Sequence, residues 1–221
     1  MNIINTDLYL TQSKTWPSDG RHIMASYDDQ NIIVYQAYNP QIAEQILLKK
    51  NFHDESCLKA GFSLTRMSWI KTNFLWMMYR SGWATKKNQE KILAIRIKRD
   101  GFEEILRKSV LSVHDNSEEA KLSIKNSSVI LQWDPDHNPD YSKVETGRRA
   151  IQLGLRDEML LKFSKEFIVD IYDVTQFVSE QYSRIHENFE IGIKTLEIPI
   201  EKVYIPIDSN IQKHINLSVS K

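Results

Sequence analysis

The stretch ILAIRIK, residues 92–98, decides the fold class, because large apolar residues alternate in it with smaller or charged ones. Such a two-residue period places one set of side chains on the buried face of a β-strand. Residues 129–133 (VILQW) and 150–155 (AIQLGL) show the same period. We therefore predict that these three segments are strands of one sheet.

Helix signals occur between these strands. Asn39 is typical of an N-cap in front of Pro40 at the first helical position, and Asp100 with Glu103 resembles a capping box. The polar stretch 112–127 is expected to be a loop or a short surface helix. Because strands and helices interleave along the chain, we predict an α/β or α+β fold with a mixed central sheet and flanking helices.

The composition divides the chain into three parts. Residues 1–20 form a polar N-terminal segment, and residues 21–190 carry the strands and helices of a single compact domain. Residues 191–221 form an extended C-terminal segment, in which Pro199 and Pro206 favour an edge strand or a tail over a central strand.

Charge and composition exclude several classes of protein. The chain has 221 residues, and its 29 basic and 29 acidic side chains balance, so only a local patch could attract nucleic acid or a membrane. Its one cysteine, Cys57, excludes intramolecular disulfides and fits a reducing compartment. No stretch reaches the roughly 18–20 apolar residues of a membrane span, and the first residues lack the layout of a secretory signal. We therefore expect a cytoplasmic protein without a membrane partner.

Several catalytic motifs are missing from the sequence. It contains no glycine-rich phosphate loop, no Gly-x-Ser-x-Gly elbow and no His-Glu-x-x-His helix, which excludes kinases, Rossmann dehydrogenases, α/β-hydrolases and zincins. Residues 134–137 (DPDH) carry metal-ligating types, but such clusters in proline turns usually form caps and turns, so no metal is predicted. Gln132 and the pair Arg148-Arg149 stay candidates for lining a cleft or holding a phosphate.

Residues 66–83, RMSWIKTNFLWMMYRSGW, form the most unusual part of the sequence. If this segment is helical, steps of three and four residues place six side chains on one face. These six are Arg66, Trp69, Asn73, Trp76, Arg80 and Trp83. Gly82 is expected to end the helix in a left-handed conformation, with Trp83 on the following loop.

Three interpretations of this arginine–tryptophan face are open. Cation–π pairs worth roughly 0.5–2 kcal/mol each would simply brace the fold. Two arginines in a partly aromatic cleft would instead bind a phosphate beside a stacked base. The face would also serve as a buried interface with a partner.

Six blocks of the sequence resemble the family called domain of unknown function 4291, over about residues 16–182. The blocks are WPSDGRHIMASYD (16–28), VYQAYNPQIA (34–43), RMSWIKTNFLWMMYRSGWATK (66–86), LAIRIKR (93–99), LQWDPDHNP (131–139) and RRAIQLGLR (148–156). The long tryptophan-rich block is very specific, so the chain is identified as a member of that family. The resemblance implies no established reaction.

The layout also resembles, more weakly, that of ADP-ribosyltransferase-like domains, which split NAD and transfer ADP-ribose to an acceptor. Tyr35-Gln36 before a helix resembles the element that holds the ribose, and Tyr79-Arg80-Ser81 resembles the element that holds the nicotinamide. Gln152 stands where a glutamate usually orients the acceptor. A neutral amide cannot polarise an acceptor as a carboxylate does, so Asp134 is the second candidate for that role.

The leading interpretation is therefore an ADP-ribosyltransferase-like enzyme that uses NAD. The candidate roles are phosphate or ribose contacts for Arg21 and Arg80, ring stacking for Tyr79 and Trp83, further cofactor contacts for Tyr35, Gln36 and Ser81, and acceptor orientation for Gln152 or Asp134. The alternative is a non-catalytic nucleic-acid or modified-nucleotide binding module that uses the arginine–tryptophan face.

Overall fold

A seven-stranded sheet at the centre of the fold contains all three predicted strands. The structure, a computed structural model, describes residues 4–112 and 117–218. The strands are β1 Thr6–Leu8, β2 Ile23–Ala25, β3 Asn31–Tyr38, β4 Ser68–Lys71, β5 Lys91–Lys98, β6 Val110–Leu111, β7 Val129–Pro135, β8 Arg149–Leu155, β9 Ile168–Asp173, β10 Glu197–Pro199 and β11 Lys202–Tyr204. The helices are α1 Tyr9–Gln12, α2 Pro40–Lys49, α3 Glu55–Lys59, α4 Phe74–Ser81, α5 Arg99–Lys108, α6 Glu118–Asn126, α7 Asp157–Lys162, α8 Thr175–Glu187, α9 Phe189–Gly192 and α10 Ser209–His214, with a 3₁₀ turn at Ser13–Thr15 and a π-helical turn at Phe163–Phe167.

The strand order across the central sheet is β6–β7–β8–β4–β3–β5–β9. β6 and β7 are parallel, and every other neighbouring pair is antiparallel. The strands predicted at 92–98, 129–133 and 150–155 correspond to β5, β7 and β8, each one or two residues longer than expected. The predicted mixed sheet with flanking helices is therefore confirmed.

The first face of this sheet is apolar along its width. Val34, Ile95, Leu131 and Leu153 lie on this face and are almost fully buried. Helices α2, α5 and α7 contribute apolar side chains to the same cluster. Burial of each such aliphatic side chain contributes about 1.5–3 kcal/mol, so this face supplies most of the core.

The second face is divided into an apolar half and a polar half. Over β3 and β5 it is apolar, and Tyr35 and Ala94 pack there with residues of α4 and α8. Over β4, β8 and β7, the positions that alternate with the first-face core carry Lys71, Gln152 and Gln132. Because successive strand residues point to opposite faces, these three polar side chains share the second face.

The single helix predicted for residues 66–83 is wrong. Residues 68–71 form β4, which pairs with β8, and α4 begins only at Phe74. Asn73 separates the two elements, because its backbone is extended (φ −85°, ψ 126°) and its side chain accepts the Trp76 N–H at 2.7 Å. An N-cap of this kind starts a helix and cannot lie in the middle of one.

The predicted arginine–tryptophan face consequently does not form. Trp69 lies on the sheet, whereas Trp76 and Trp83 are 4% and 2% exposed in the core. Gly82 ends α4 in the left-handed conformation (φ 60°), which confirms the predicted end of the helix.

The other helix starts agree with the sequence in part. Asn39 caps α2 as predicted, and its side chain accepts the Ile42 N–H at 2.9 Å. The capping box expected at Asp100 and Glu103 is wrong, because α5 already begins at Arg99 and has no side-chain cap. Of the stretch 112–127, residues 118–126 form α6, and residues 113–116 lie outside the described residues. Within the described residues, no helix has the length and apolar character needed to cross a bilayer.

Segments near the two chain ends pair with each other. β1 runs antiparallel to β10, and β2 runs antiparallel to β11. Between β10 and β11, the buried carboxyl group of Glu201 reaches the start of α4. It accepts the Phe74 N–H at 2.6 Å and the Asn73 side-chain N–H at 2.9 Å. The C-terminal strands therefore fix the helix that forms one wall of the site described next.

Candidate functional site

The polar half of the second sheet face is the floor of a cleft of about 490 Å³. This volume lies within the usual range for sites that hold small molecules, roughly 300–1,000 Å³. The lining residues are Gln36, Ala37, Tyr38, Ile42, Gly61, Phe62, Ser63, Arg66, Met67, Ser68, Trp69, Lys71, Met77, Arg80, Gln89, Gln132 and Gln152. Glutamines and cationic side chains dominate the polar part of this set.

Three strands align the polar floor of the cleft. Gln152 of β8 lies directly opposite Gln132 of β7 on one side and Lys71 of β4 on the other. The Gln152 Nε2 donates to Gln132 Oε1 at 2.8 Å and to Asp134 Oδ2 at 2.7 Å. Burial raises the pKa of the Asp134 carboxyl, although the hydrogen bond from Gln152 opposes this. Lys71, Gln152 and Gln132 therefore form a row of polar groups across three neighbouring strands.

Lys71 is the unusual member of this row. Its side chain is only 5% exposed, yet within residues 4–112 and 117–218 it forms no salt bridge. Its hydrogen bond to the Trp69 carbonyl is long, at 3.4 Å. Burial, together with the positive charge of Arg80, lowers the pKa of Lys71 to about 7. A large fraction of the amine is therefore uncharged near neutral pH.

Two arginines stand above this floor. Arg80 lies in the last turn of α4, and Arg66 lies just before β4; both are exposed and line the cleft. Among the described residues, neither guanidinium has a carboxylate within salt-bridge distance. The half-buried indole of Trp69 lies in the same lining. Free guanidinium groups beside an aromatic ring form a site that suits an anionic, planar ligand.

The opposite wall is neutral and hydrogen-bonded, and it comes from the first face of the sheet, because Gln36 and Ser68 lie two residues from the core residues Val34 and Ile70. The Gln36 Nε2 donates to Ser68 Oγ at 2.7 Å, and the Tyr38 hydroxyl donates to Gln36 Oε1 at 3.1 Å. This network holds the end of β3 against β4. It gives the cleft hydroxyl and amide groups that suit the hydroxyls of a sugar.

Four of the predicted site residues meet at this cleft or beside it. Gln36, Arg80 and Gln152 line it, and Asp134 is hydrogen-bonded to Gln152. Arg21 lies farther along the sheet edge, in a neighbouring cleft of about 440 Å³ that also contains Asp134. The two clefts share Gln132, so Asp134 stands between them.

Four other predicted residues lie outside the lining of the main cleft. Tyr35 is fully buried and packs on Phe74. The Ser81 hydroxyl donates to the Met77 carbonyl at 2.9 Å, and the Trp83 indole N–H donates to the Pro139 carbonyl at 3.2 Å. The half-buried Tyr79 stacks on His137, with 3.6 Å between ring centroids. These contacts occupy all four side chains within the fold.

Lys71 was missed by the reasoning from sequence. A signal was available, because it follows the strand residue Ile70 directly and precedes the helix cap Asn73 by two positions. The mistaken helix removed this clue, since it placed Lys71 on no defined face.

The DPDH turn forms an architectural contact. Asp136 forms a buried salt bridge with Arg148 at 2.6 Å, and Arg148 also donates to the Pro17 carbonyl at 2.9 Å. The guanidinium lies 5.1 Å from the centre of the Trp16 ring, a cation–π contact. In the part of the chain that the structure describes, no three His, Cys, Asp or Glu side chains are grouped to hold a metal ion.

Comparison with known proteins identifies the family to which the chain belongs. The model of the family described as Domain of unknown function (DUF4291) matches residues 22–204. A search of functionally curated proteins finds no significant match. The matched range spans the whole central sheet and every residue that lines the cleft. The chain therefore belongs to the DUF4291 family.

Proposed function

We propose that this protein is a nucleotide-handling enzyme, a group transferase that binds a phosphorylated nucleotide in the cleft over β4 and β8. The observation that carries the proposal is the set of three cationic side chains, Lys71, Arg66 and Arg80, that line one cleft and form no salt bridge with any residue that the structure describes. Unpaired cations around a small concave site attract an anionic ligand, and a phosphate satisfies them best.

The arginines and the aromatic ring contact different parts of the proposed ligand. Arg80 and Arg66 present planar guanidinium groups, which bind phosphate oxygens in pairs. Trp69 offers a ring face on which a base stacks, a contact worth roughly 1–3 kcal/mol. Gln132 and Gln152 line the cleft with amide groups that suit the ribose hydroxyls. Phosphate, sugar and base each have a suitable partner.

ADP-ribosyl transfer from NAD is the first reaction to test in this site. One residue from each of the three transferase-like elements lines the cleft, namely Gln36, Arg80 and Gln152, although they are far apart in sequence. Asp134, held by Gln152 at 2.7 Å, supplies the carboxylate that the third element lacks. In this reaction Gln152 orients Asp134, and Asp134 polarises the acceptor.

Calorimetry tests the proposal directly. We expect NAD, ADP-ribose or ATP at millimolar concentration to release or absorb heat and to raise the melting temperature, because a ligand that binds only the native state stabilises it. Arg80→Ala is expected to weaken this binding. Its matched control is Arg107→Ala, which removes an exposed arginine of α5 that contacts Asp208 instead of the cleft.

Two results would count against the proposal. Absence of both heat and thermal shift with all three nucleotides would remove nucleotides as ligands. Equal loss of affinity in Arg80→Ala and Arg107→Ala would show that general charge and not the cleft binds them.

A further inference from the structure

We infer that Lys71 is the nucleophile of this enzyme and that its amine attacks the α-phosphorus of a nucleoside 5′-phosphoanhydride to form a covalent lysyl-nucleotide. This inference rests on the proposed function, since it requires that a nucleotide binds in the cleft. It names the reacting atom and the chemical class of the substrate.

The position of Lys71 is fixed by the central sheet. It is the last residue of β4, and its backbone has partners on both sides, Gln152 of β8 and Tyr35 of β3. Two residues later, Asn73 starts α4. A reacting group on a strand at the centre of a sheet is held more rigidly than one on a loop.

Lys71 is also unusual because, among the described residues, it has no partner of opposite charge. Buried cations are normally paired, as Arg148 is with Asp136 at 2.6 Å. Lys71 is 5% exposed and, among the described residues, has no salt-bridge partner. A buried unpaired lysine costs stability, so a structural role does not account for it. A role in which the amine itself reacts accounts for a buried lysine without a charged partner.

The state of the amine fits this role. An attacking nitrogen needs a free lone pair, which the ammonium form lacks. Burial and the neighbouring Arg80 lower the pKa of Lys71 to about 7, so the neutral amine is present near neutral pH. The guanidinium groups of Arg80 and Arg66 offset the negative charge of the phosphoanhydride.

The reaction balances without an oxidant or reductant. The Lys71 Nζ lone pair forms a nitrogen–phosphorus bond at the α-phosphorus while the bond to the bridging oxygen breaks. The leaving group, which is pyrophosphate from a nucleoside triphosphate or nicotinamide mononucleotide from NAD, takes that electron pair. The nitrogen releases one proton to solvent, and the negative charge of Asp134, which acts on Lys71, favours the transient cation at this nitrogen.

The second half of the reaction regenerates the lysine. A hydroxyl or phosphate oxygen of the acceptor attacks the same phosphorus, and the nitrogen–phosphorus bond breaks. The nitrogen regains its proton, and the nucleotidyl group leaves on the acceptor. The overall reaction is a nucleotidyl transfer through a covalent intermediate.

Labelling of the intact protein tests the inference. The full chain is incubated with Mg²⁺ and either ATP or NAD, each radiolabelled in the adenylate phosphate, and is then examined by intact mass and peptide mapping. We expect one adenylyl group on Lys71 that is labile in acid and stable in alkali, as phosphoramidates are. The two arms identify the source, because pyrophosphate is released in one and nicotinamide mononucleotide in the other.

Two variants and a control accompany this experiment. Lys71→Arg keeps the charge but not the reactive amine, and Lys71→Met keeps the length of the chain without charge. Both are expected to lose at least about 100-fold of the label, while Lys71→Arg still binds the nucleotide in calorimetry. Lys98→Met, at an exposed lysine of β5, is expected to label like the wild type.

The outcomes separate this inference from the proposed function. Nucleotide binding without label in both arms would overturn the role of Lys71 and leave the proposed function intact. Label that persists in Lys71→Met would also overturn it. An ADP-ribosyl adduct with release of nicotinamide would show transfer at the ribose carbon and not at phosphorus. Absence of binding and of label would reject both proposals.

Discussion

Two buried cations of this protein have opposite surroundings. Arg148 has a carboxylate at 2.6 Å, a carbonyl at 2.9 Å and the Trp16 ring at 5.1 Å. Lys71 is equally inaccessible but, within the described residues, has no salt bridge and only a 3.4 Å hydrogen bond. The fold satisfies one buried cation and leaves the other without a charged partner among the described residues.

The difference separates architecture from function. A satisfied buried charge holds elements together, and here it joins the N-terminal segment to the turn after β7. An unsatisfied one destabilises the native state, and a protein retains it where a ligand or a reaction uses it.

The largest effect is expected where the satisfied pair is broken. Asp136→Ala leaves the Arg148 guanidinium buried without its carboxylate, which costs about 3–5 kcal/mol in the free energy of unfolding. Urea denaturation measures this loss. Glu55→Ala, which breaks the exposed pair with Lys59, is the control and costs about 1 kcal/mol or less. Equal losses in the two variants would show that the buried pair has no special weight.

Replacement of Lys71 is expected to change the free energy of unfolding in the opposite direction, towards greater stability. The pKa of Lys71 is near 7 in the native protein and 10.5 in the unfolded chain, so the unfolded chain binds more protons between these values. The stability contributed by this group is therefore lost as the pH falls from about 10 towards 7. Lys71→Met removes the penalty, and we expect it to stabilise the protein by about 2 kcal/mol at pH 6 and to flatten the stability curve between pH 7 and 9.

Denaturation at several pH values measures this contrast. Destabilisation of Lys71→Met at pH 6, or an unchanged pH dependence, would mean that Lys71 is a satisfied structural residue like Arg148.

A smaller effect is expected at the wall of the cleft. Arg80→Lys keeps a cation in the last turn of α4, which the helix dipole favours, so the melting temperature stays within a few degrees of the wild type. An ammonium cannot form the paired planar contact of a guanidinium, so nucleotide affinity falls about tenfold, or about 1.4 kcal/mol. Calorimetry measures both quantities. Unchanged affinity would remove Arg80 from the site.

The smallest effect is expected at the second buried carboxyl group. Burial raises the pKa of Glu201 to about 8, so the native protein holds this proton up to a higher pH than the unfolded chain does. Its contribution to stability is complete below about pH 4.5 and is lost as the pH rises through 8. Glu201→Gln loses the hydrogen bond from the Asn73 amide at a cost of about 1 kcal/mol near pH 6. It also removes the decline of stability towards pH 8, which thermal denaturation across this range detects.

Local patterns in the sequence predicted much of this fold. The alternation in β5, β7 and β8 and the Asn39 cap are set by neighbouring residues, so one sequence is enough to recognise them. The prediction of a single helix over residues 66–83 was wrong because arginines and tryptophans spaced by three and four residues match the period of a helix. The pairing that makes residues 68–71 a strand comes from β8, more than eighty positions away.

Some residues of the candidate site were predicted from the sequence and others were not. Gln132 was identified as a candidate for lining a cleft and Gln152 through the transferase-like resemblance, and the structure pairs the two residues on β7 and β8. Lys71 was not identified, because its isolation depends on which strands lie beside it. Ser81 was placed in the site by a resemblance and Trp83 by the predicted arginine–tryptophan face, whereas packing buries both side chains. Burial and partnership are properties of the tertiary structure and leave no pattern in a single segment.

The pairing of β1 with β10, and of β2 with β11, also constrains how the protein is made. A ribosome releases the N-terminal strands long before their partners exist, so β1 and β2 must wait as unpaired edges during synthesis. The helix beside the cleft waits as well, because Glu201, which binds its first turn, is synthesised 127 residues after Phe74. Contacts between such distant segments slow folding and expose intermediates to aggregation. The nascent chain therefore stays without a finished site until residues 197–204 have left the exit tunnel, and chaperones have that interval in which to act.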